Sequence, residues 1–139
     1  MNTESTKGLY RKLTEGIFFS EDRHITKQMV EKVLNRIGPN LDKKDADILF
    51  GLEVCAPSPK AFCETIPTTE TPTVWLNPQI ETERDEEVAE FAIVTGFAQG
   101  IRLVQGTGRN QLEQRSHELA RDWGYNIPAA SRRGEAVGA

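Results

Sequence analysis

The sequence predicts an all-α fold, an antiparallel bundle of four or five helices with a Pro-rich loop that carries one short edge strand. Apolar residues recur at helical spacing on both sides of this loop, before residue 56 and after residue 80. A chain of 139 residues is the size of one domain and short for two. We therefore expect a single helical domain over residues 1–128, with 56–80 as a loop or linker, and a disordered tail over 129–139.

Three helices are predicted before the loop. The first has an apolar residue at every fourth position, at Leu9, Leu13 and Ile17. The second has Thr26 as its N-cap and stops at Gly38-Pro39, because proline cannot continue a helix. The third is a weaker pattern that starts at Asp42 and has its apolar face at Ala46, Leu49 and Leu52.

Residues 56–80 hold five prolines and a Thr-rich run. Proline has no amide donor and is excluded from helix interiors and central strands, so this stretch is predicted as a linker or a long ordered loop. Within it, residues 73–77 have the composition of a strand. Pro72 and Pro78 on its two sides predict an isolated or edge strand.

Two helices are predicted after the loop. Acids are concentrated in residues 81–90 and favour the positive end of a helix dipole, so a long helix is expected to begin there and to run to about Gln105. The last helix is predicted to start at Asn110, with Glu113 completing a capping box, and to end at Gly124. The helical stripes predict these core residues: Val33, Leu34, Phe91, Phe97 and Trp123.

Composition excludes several classes of protein. The chain has 17 Lys+Arg against 21 Asp+Glu, and this negative balance argues against nucleic-acid binding, which needs a basic face. No apolar run approaches the ~18 residues that indicate a membrane span. The first residues lack the basic and apolar regions of a signal peptide. We expect a cytoplasmic protein in which Cys55 and Cys63 stay reduced.

No motif predicts a catalytic, cofactor or metal site. His117-Glu118 begins the pattern of a zinc-peptidase helix, but Arg121 stands where the second ligand belongs, and a guanidinium does not bind zinc. Cys55 and Cys63 are too far apart for a zinc knuckle. We expect no cofactor and no metal, and the sequence favours a protein that is not an enzyme.

Gly96 and Gly100 lie four residues apart inside the predicted long helix. Each glycine costs about 1 kcal/mol there relative to alanine, and close approach of another helix would offset that cost. Gly96, Phe97 and Gly100 are therefore predicted to form a helix-packing face. The sequence favours packing within the chain, and the alternative is a homodimer contact across a two-fold axis.

The acidic stretch over residues 81–90 has a purely structural interpretation and a functional one. A calcium-binding loop would need glycine and glutamate where the sequence has Glu86 and Ala92. A solvated helix start is the default, and contact with a basic partner protein is the alternative, because charge clusters steer association. The predicted partner-binding residues are Trp75, Glu81, Glu83, Asp85, Glu86, Glu87 and Glu90.

Two patterns resemble known proteins. A Leu9-Tyr10 pair leading to Gly16, with F-x4-G-F-x-x-G-x-R-L over residues 91–103, resembles short uncharacterised helical bacterial proteins of mobile elements. That resemblance implies a helical fold and no activity. Residues 73–124 resemble the metallopeptidase-like layout of some phage-repressor-cleaving proteins, with an edge strand, an acidic turn and then a helix. The helix over 90–100 has no histidine, so the resemblance implies a fold without its metal ligands.

The function predicted from these observations is a non-catalytic protein–protein interaction module, encoded by a phage or other mobile element. It would bind another protein through the acidic helix start or the 56–80 loop. The alternative is a degenerate metallopeptidase-like or metal-binding protein, in which His117 would hold zinc.

Overall fold

The computed structural model describes residues 15–58 and 73–126. These residues form a mixed α/β fold, so the predicted all-α bundle is wrong. The strands are β1 (Ile17–Phe19), β2 (Glu53–Ala56) and β3 (Thr73–Trp75). The helices are α1 (His24–Ile37), α2 (Lys43–Gly51), α3 (Glu86–Val104) and α4 (Arg109–Asp122), and 3-10 turns occupy Gly38–Asn40 and Pro78–Thr82.

The three strands form a parallel sheet in the order β1-β2-β3. Ile17 lies opposite Val54, and Val54 lies opposite Val74. These three side chains are buried, so one face of the sheet belongs to the core. Between β1 and β2 the chain forms α1 and α2, which supply the crossover that two parallel neighbours require.

The sequence analysis missed β1 and β2 because both are short. They have three and four residues, and alternation over so few positions cannot be distinguished from one turn of a helix. Ile17, predicted as the end of the first helix, starts β1, and Ala56, predicted as loop, ends β2. The strand predicted inside the Pro-rich stretch is confirmed, as β3 at one edge of the sheet. Leu9, Leu13, Cys63 and the predicted tail lie outside the described residues.

The start of α1 differs from the prediction. The helix begins at His24 with Arg23 as its N-cap, and Arg23 makes no side-chain capping bond. Thr26 therefore lies in the first turn and is fully buried. α2 begins as predicted, with the Asp42 carboxylate accepting a hydrogen bond from the Asp45 amide at 2.7 Å.

α3 begins later than the acidic stretch predicts. Pro78 opens a 3-10 turn that contains Glu81, and α3 starts only at Glu86, where the Asp85 carboxylate caps the Glu87 amide at 3.0 Å. The capping box predicted for α4 does not form, because its N-cap is a glycine without a side-chain acceptor. The predicted stop of α4 is confirmed, as a glycine in the left-handed region at position 124.

α3 is the central helix of the described fold and contacts α1, α2, α4 and β3. The five residues predicted for the core are all buried: Val33, Leu34, Phe91, Phe97 and Trp123. In the described ranges, every helix is too short or too polar to cross a membrane.

Gly96 and Gly100 bring α3 close to the sheet. A Cβ atom at Gly100 would lie 2.7 Å from both Leu52 Cδ1 and Val74 Cγ2, and one at Gly96 would lie 3.3 Å from Val74 Cγ1. Phe97, between them in sequence, is fully buried. This close contact lies within the chain, and its partners are β3 and the residue after α2 instead of another helix.

Candidate functional site

The face of the sheet opposite the core carries a row of exposed apolar side chains. Phe18 lies opposite Cys55, and Cys55 lies opposite Trp75, so the three residues are neighbours across all three strands. Successive side chains of a strand point to opposite faces, which places this row on the side away from the buried valines. Phe18 is 68% exposed, Trp75 is 43% exposed and Cys55 is half-buried. We call Phe18, Cys55 and Trp75 the open face.

Two large aromatic side chains exposed on one face of a parallel sheet, on either side of Cys55, are unusual. Such sheets are nearly always covered on both faces, because their connections place other elements there. Contiguous exposed apolar surface in a folded protein also marks a site where another segment binds. The open face is therefore the best candidate for a binding surface in the described part of the chain.

The chain around the open face is acidic. The described segments 15–22, 53–58 and 73–77 hold the strands and their ends, and they contain no lysine or arginine. Glu53 lies on the same side of the sheet as the open face and accepts a hydrogen bond from the Thr73 hydroxyl at 3.1 Å. The exposed acids of these segments are Glu15, Glu21, Asp22 and Glu53. The open face thus has one carboxylate, Glu53, beside its apolar side chains, and the strand segments that form it carry no base.

Cys55 is suited to contact and not to nucleophilic chemistry. Burial, together with the nearby Glu53 carboxylate, raises the pKa of the Cys55 thiol. The thiolate is the nucleophile, so a raised pKa lowers the reactive fraction at neutral pH. At the centre of the open face, Cys55 behaves as a small apolar residue.

The carboxyl ends of the strands, where α/β proteins commonly bind ligands, are occupied by an internal ion pair. Arg23 follows β1, and its Nη2 donates to the Asn77 carbonyl at 3.1 Å, while its Nε lies 3.9 Å from Glu81 Oε2. Glu81 accepts hydrogen bonds from the amides of Ile25 and Thr26 and from the Thr26 hydroxyl, each at 2.9 Å. The Glu81 carboxylate therefore fills the position at the amino end of α1 that a bound anion would take.

The two side chains of this pair differ in how fully their polar atoms are hydrogen-bonded. Burial opposes the charge of Glu81, but the hydrogen bonds from Ile25 and Thr26 and the Arg23 charge outweigh it and lower the pKa of Glu81. Burial lowers the pKa of Arg23, and Glu81 offsets part of that shift. Arg23 Nε and Nη1 are buried without a hydrogen-bond partner. Glu81 is thus the member of the pair whose interactions favour folding most clearly.

The lowered pKa of Glu81 predicts a loss of stability in acid. A depressed folded-state pKa contributes stability above the unfolded-state value, near 4.5, and that contribution disappears as the pH falls through the folded-state pKa. Urea unfolding from neutral pH to below 4.5 should show wild type losing more stability than Glu81→Gln. A parallel loss in both proteins would contradict this assignment.

Several of the predicted acidic partner residues make contacts within the chain. Glu81 holds the start of α1, Asp85 caps α3, and Glu86 accepts a hydrogen bond from a lysine of α1 at 2.8 Å. Glu83 and Glu87 are exposed, and Glu83 accepts a hydrogen bond from the Asp85 amide at 3.0 Å. The structure does not bring these acids together with Trp75 into one acidic surface, because Trp75 lies on the open face.

Glu90 belongs to a cluster that ties the residues after α4 to α1. It is 7% exposed, and its Oε1 accepts a hydrogen bond from the Tyr125 hydroxyl at 3.1 Å. Burial, with the charge of Glu90, raises the pKa of Tyr125. The Arg36 guanidinium lies 4.1 Å from the Tyr125 ring centroid and donates to the Gly124 carbonyl at 2.8 Å. Glu90 is therefore an internal residue with little surface to offer a partner.

The other candidate sites have little support in the structure. Within residues 15–58 and 73–126, no group of three or more His, Cys, Asp and Glu side chains is placed to hold a metal ion. His117 contacts the Phe91 ring, with the centroids 5.5 Å apart. A half-open pocket between the second 3-10 turn and α3 has a volume of about 90 Å³. Small-molecule sites usually have roughly 300–1,000 Å³.

Sequence analysis selected Trp75 and missed two other residues of interest, Phe18 and Arg23. Phe18 lies in an Ile-Phe-Phe run between Gly16 and a polar segment, which is the composition of a short strand. This strand composition is visible in the sequence, but the helical spacing of Leu9, Leu13 and Ile17 overlaps it and favoured a helix. The burial of Arg23 depends on Asn77 and Glu81, which are distant in sequence, so no local signal indicates it.

A scan against protein-family models, a search of curated proteins and a search of solved structures each found no match to this chain. The two resemblances described above therefore rest on their residues alone. The functional argument rests on the geometry and charge of the open face.

Proposed function

We propose that this protein is a non-catalytic interaction module that binds a segment of another protein across the open face. The observation that carries the proposal is the exposure of Phe18 and Trp75 in one row of the sheet, 68% and 43%. Aromatic side chains dominate binding energy at protein interfaces because they bury a large area with few rotatable bonds. Cys55 between them leaves room for a side chain of the partner.

The acidic strand segments support a partner with basic residues. The described segments 15–22, 53–58 and 73–77 carry four exposed acids and no lysine or arginine, and one of these acids, Glu53, lies on the open-face side. A partner segment with an apolar side for the aromatic row and flanking lysines or arginines would complement this surface. Its association rate would fall as the salt concentration rises, because salt screens charges at the rim of an interface.

The test compares two pairs of exposed apolar residues. Phe18→Ser with Trp75→Ser removes the aromatic row, and Leu103→Ser with Val104→Ser removes two similarly exposed residues at the end of α3, 42% and 47% exposed. A partner captured by the wild-type protein from a lysate is identified by mass spectrometry, purified and titrated against all three proteins. We expect the open-face variant to bind it about tenfold more weakly or worse, and the control variant to bind as wild type does.

Two results would contradict this proposal. One is an unchanged affinity in the open-face variant. The other is an equal loss in the control variant, which would indicate nonspecific apolar adhesion. Circular dichroism of both variants checks that the substitutions leave the fold intact, as expected for exposed positions.

A further inference from the structure

The amino end of α1 presents a set of hydrogen-bond donors at the carboxyl end of the sheet. The donors are the amides of Ile25 and Thr26, the Thr26 hydroxyl and the Arg23 guanidinium. α1 has 14 residues, so the partial positive charge of its helix dipole adds to the charge of Arg23. Backbone amides at such helix ends, together with a nearby base, are the usual ligands of a bound anion.

Glu81 occupies this donor set but satisfies only one side of it. Its carboxylate accepts three hydrogen bonds from Ile25 and Thr26, each at 2.9 Å. Arg23 Nε lies 3.9 Å from Glu81 Oε2, which is too far for a hydrogen bond. Arg23 is only 1% exposed, and its Nε and Nη1 have no hydrogen-bond partner. A buried cation therefore lies beside the anion position with donor capacity left over.

A phosphate group would fit the complete donor set better than the Glu81 carboxylate does. Buried polar groups in folded proteins are nearly always hydrogen-bonded, because leaving a charged donor unpaired costs free energy. A phosphate group has one acceptor oxygen more than a carboxylate and is not attached to this chain. Two of its oxygens can accept from Ile25 and Thr26 while another accepts a charge-assisted hydrogen bond from Arg23 Nε.

The donor set can be reached from solvent by moving one side chain. The Glu81 side chain is 13% exposed, whereas the Arg23 side chain is completely buried. Glu81 belongs to the short 3-10 turn Pro78–Thr82 and not to a long helix. Rotation of Glu81 towards solvent would vacate the anion position without opening the apolar core.

We propose that the amino end of α1, together with Arg23, is a binding site for a phosphate group, and that Glu81 occupies it while no ligand is bound. The phosphate displaces the Glu81 carboxylate and accepts hydrogen bonds from Ile25, Thr26 and Arg23. A ligand has to compete with a carboxylate that is already in place, so Glu81 sets the affinity. The site goes beyond the proposed interaction function and does not depend on the open face.

The experiment titrates inorganic phosphate into the isotope-labelled full-length protein at neutral pH. Chloride is exchanged for phosphate at constant ionic strength, so that screening of charges stays the same. The amide resonances of Ile25 and Thr26 are followed by nuclear magnetic resonance. We expect a saturable shift in the wild-type protein, with half-saturation at millimolar phosphate. In Glu81→Ala the competing carboxylate is gone, and half-saturation should come at about tenfold less phosphate.

Two further variants serve as controls. Glu83→Ala removes an exposed acid two residues away and should bind phosphate as wild type does. Arg23→Met removes the proposed charge-assisted hydrogen bond and should bind about tenfold more weakly. Circular dichroism checks that each variant is folded. The wild-type titration needs no substitution and decides the proposal even if Glu81→Ala fails to fold.

Two other anions define the chemistry of the ligand. Acetate has the two oxygens of a carboxylate and should bind Glu81→Ala about tenfold more weakly than phosphate, because it cannot also reach Arg23. Glycerol phosphate tests whether the phosphate group belongs to a larger molecule. Tighter binding of glycerol phosphate than of inorganic phosphate would identify a phosphorylated molecule as the ligand class. Equal or weaker binding would identify free phosphate.

Any of four results would overturn the inference. The first is the absence of a saturable shift in the wild-type protein, even if Glu81→Ala binds, because the carboxylate would then never be displaced. The second is an affinity that Glu81→Ala does not raise, and the third is one that Arg23→Met does not lower. The fourth is equal binding of acetate and phosphate to Glu81→Ala. None of these results bears on the partner-binding test of the open face.

Discussion

Replacing Glu81 by alanine is expected to destabilise the fold by about 3 kcal/mol, because it leaves the buried Arg23 guanidinium without its neighbouring carboxylate. The substitution leaves the Ile25 and Thr26 amides and the Thr26 hydroxyl without their acceptor at the start of α1. It also removes the only carboxylate within 4.0 Å of the buried Arg23 guanidinium in the described part of the chain. Urea unfolding at neutral pH measures the change.

Glu83→Ala is the matched control, since Glu83 is an exposed acid two residues away. Its one hydrogen bond, from the Asp85 amide, is also exposed, so the change should cost less than ~1 kcal/mol. Arg23→Met should cost less than Glu81→Ala, because it removes unsatisfied nitrogens as well as a charge. Combining it with Glu81→Ala should cost less than the sum of the two single changes. Equal effects of Glu81→Ala and Glu83→Ala would show that the contacts of Glu81 with Arg23, Ile25 and Thr26 contribute little to stability.

The second large effect is expected at Gly100. Replacing it by leucine should destabilise the protein by about 3 kcal/mol, because overpacking a filled core displaces its neighbours. Even the first carbon of a side chain would lie 2.7 Å from Leu52 and from Val74 of β3. Thermal unfolding followed by circular dichroism measures the loss.

Gly51 offers a control for this prediction. It is the last residue of α2, and a Cβ atom there meets no atom within 4 Å. Gly51→Ala should therefore be neutral or stabilising by up to about 1 kcal/mol through helix propensity. If Gly100→Leu were as mild as Gly51→Ala, α3 could not be pressed against the sheet as described.

Sequence reasoning located the helices because their patterns extend over many residues. α1 has 14 residues and α3 has 19, long enough for an apolar stripe to stand out from chance. Their exact starts were harder to predict, because caps depend on single residues. Glu81 illustrates this: its acidity suggested a helix start, while its partners Ile25 and Thr26 are more than fifty residues away in sequence.

The sheet and the open face were not predictable in the same way. β1 and β2 have three and four residues, too few for the alternation of buried and exposed side chains to be recognised in the sequence. To predict the open face, one must also know that Phe18, Cys55 and Trp75 lie opposite one another on neighbouring strands. These residues come from three separate segments of the chain. A single sequence specifies each residue but gives no direct information on which strands become neighbours.

The parallel pairing of the sheet has a consequence for the order of folding. Every pair in it joins residues far apart in the chain, as Ile17 with Val54 does, so large loops must close before any strand is stabilised. α3 and α4 follow each other directly and pack closely, so they can form early. Assembly of the sheet then becomes a late step, and its amides should be among the first of the core to exchange with solvent. The surface proposed for recognition would be both the last part of the molecule to form and the easiest to remodel.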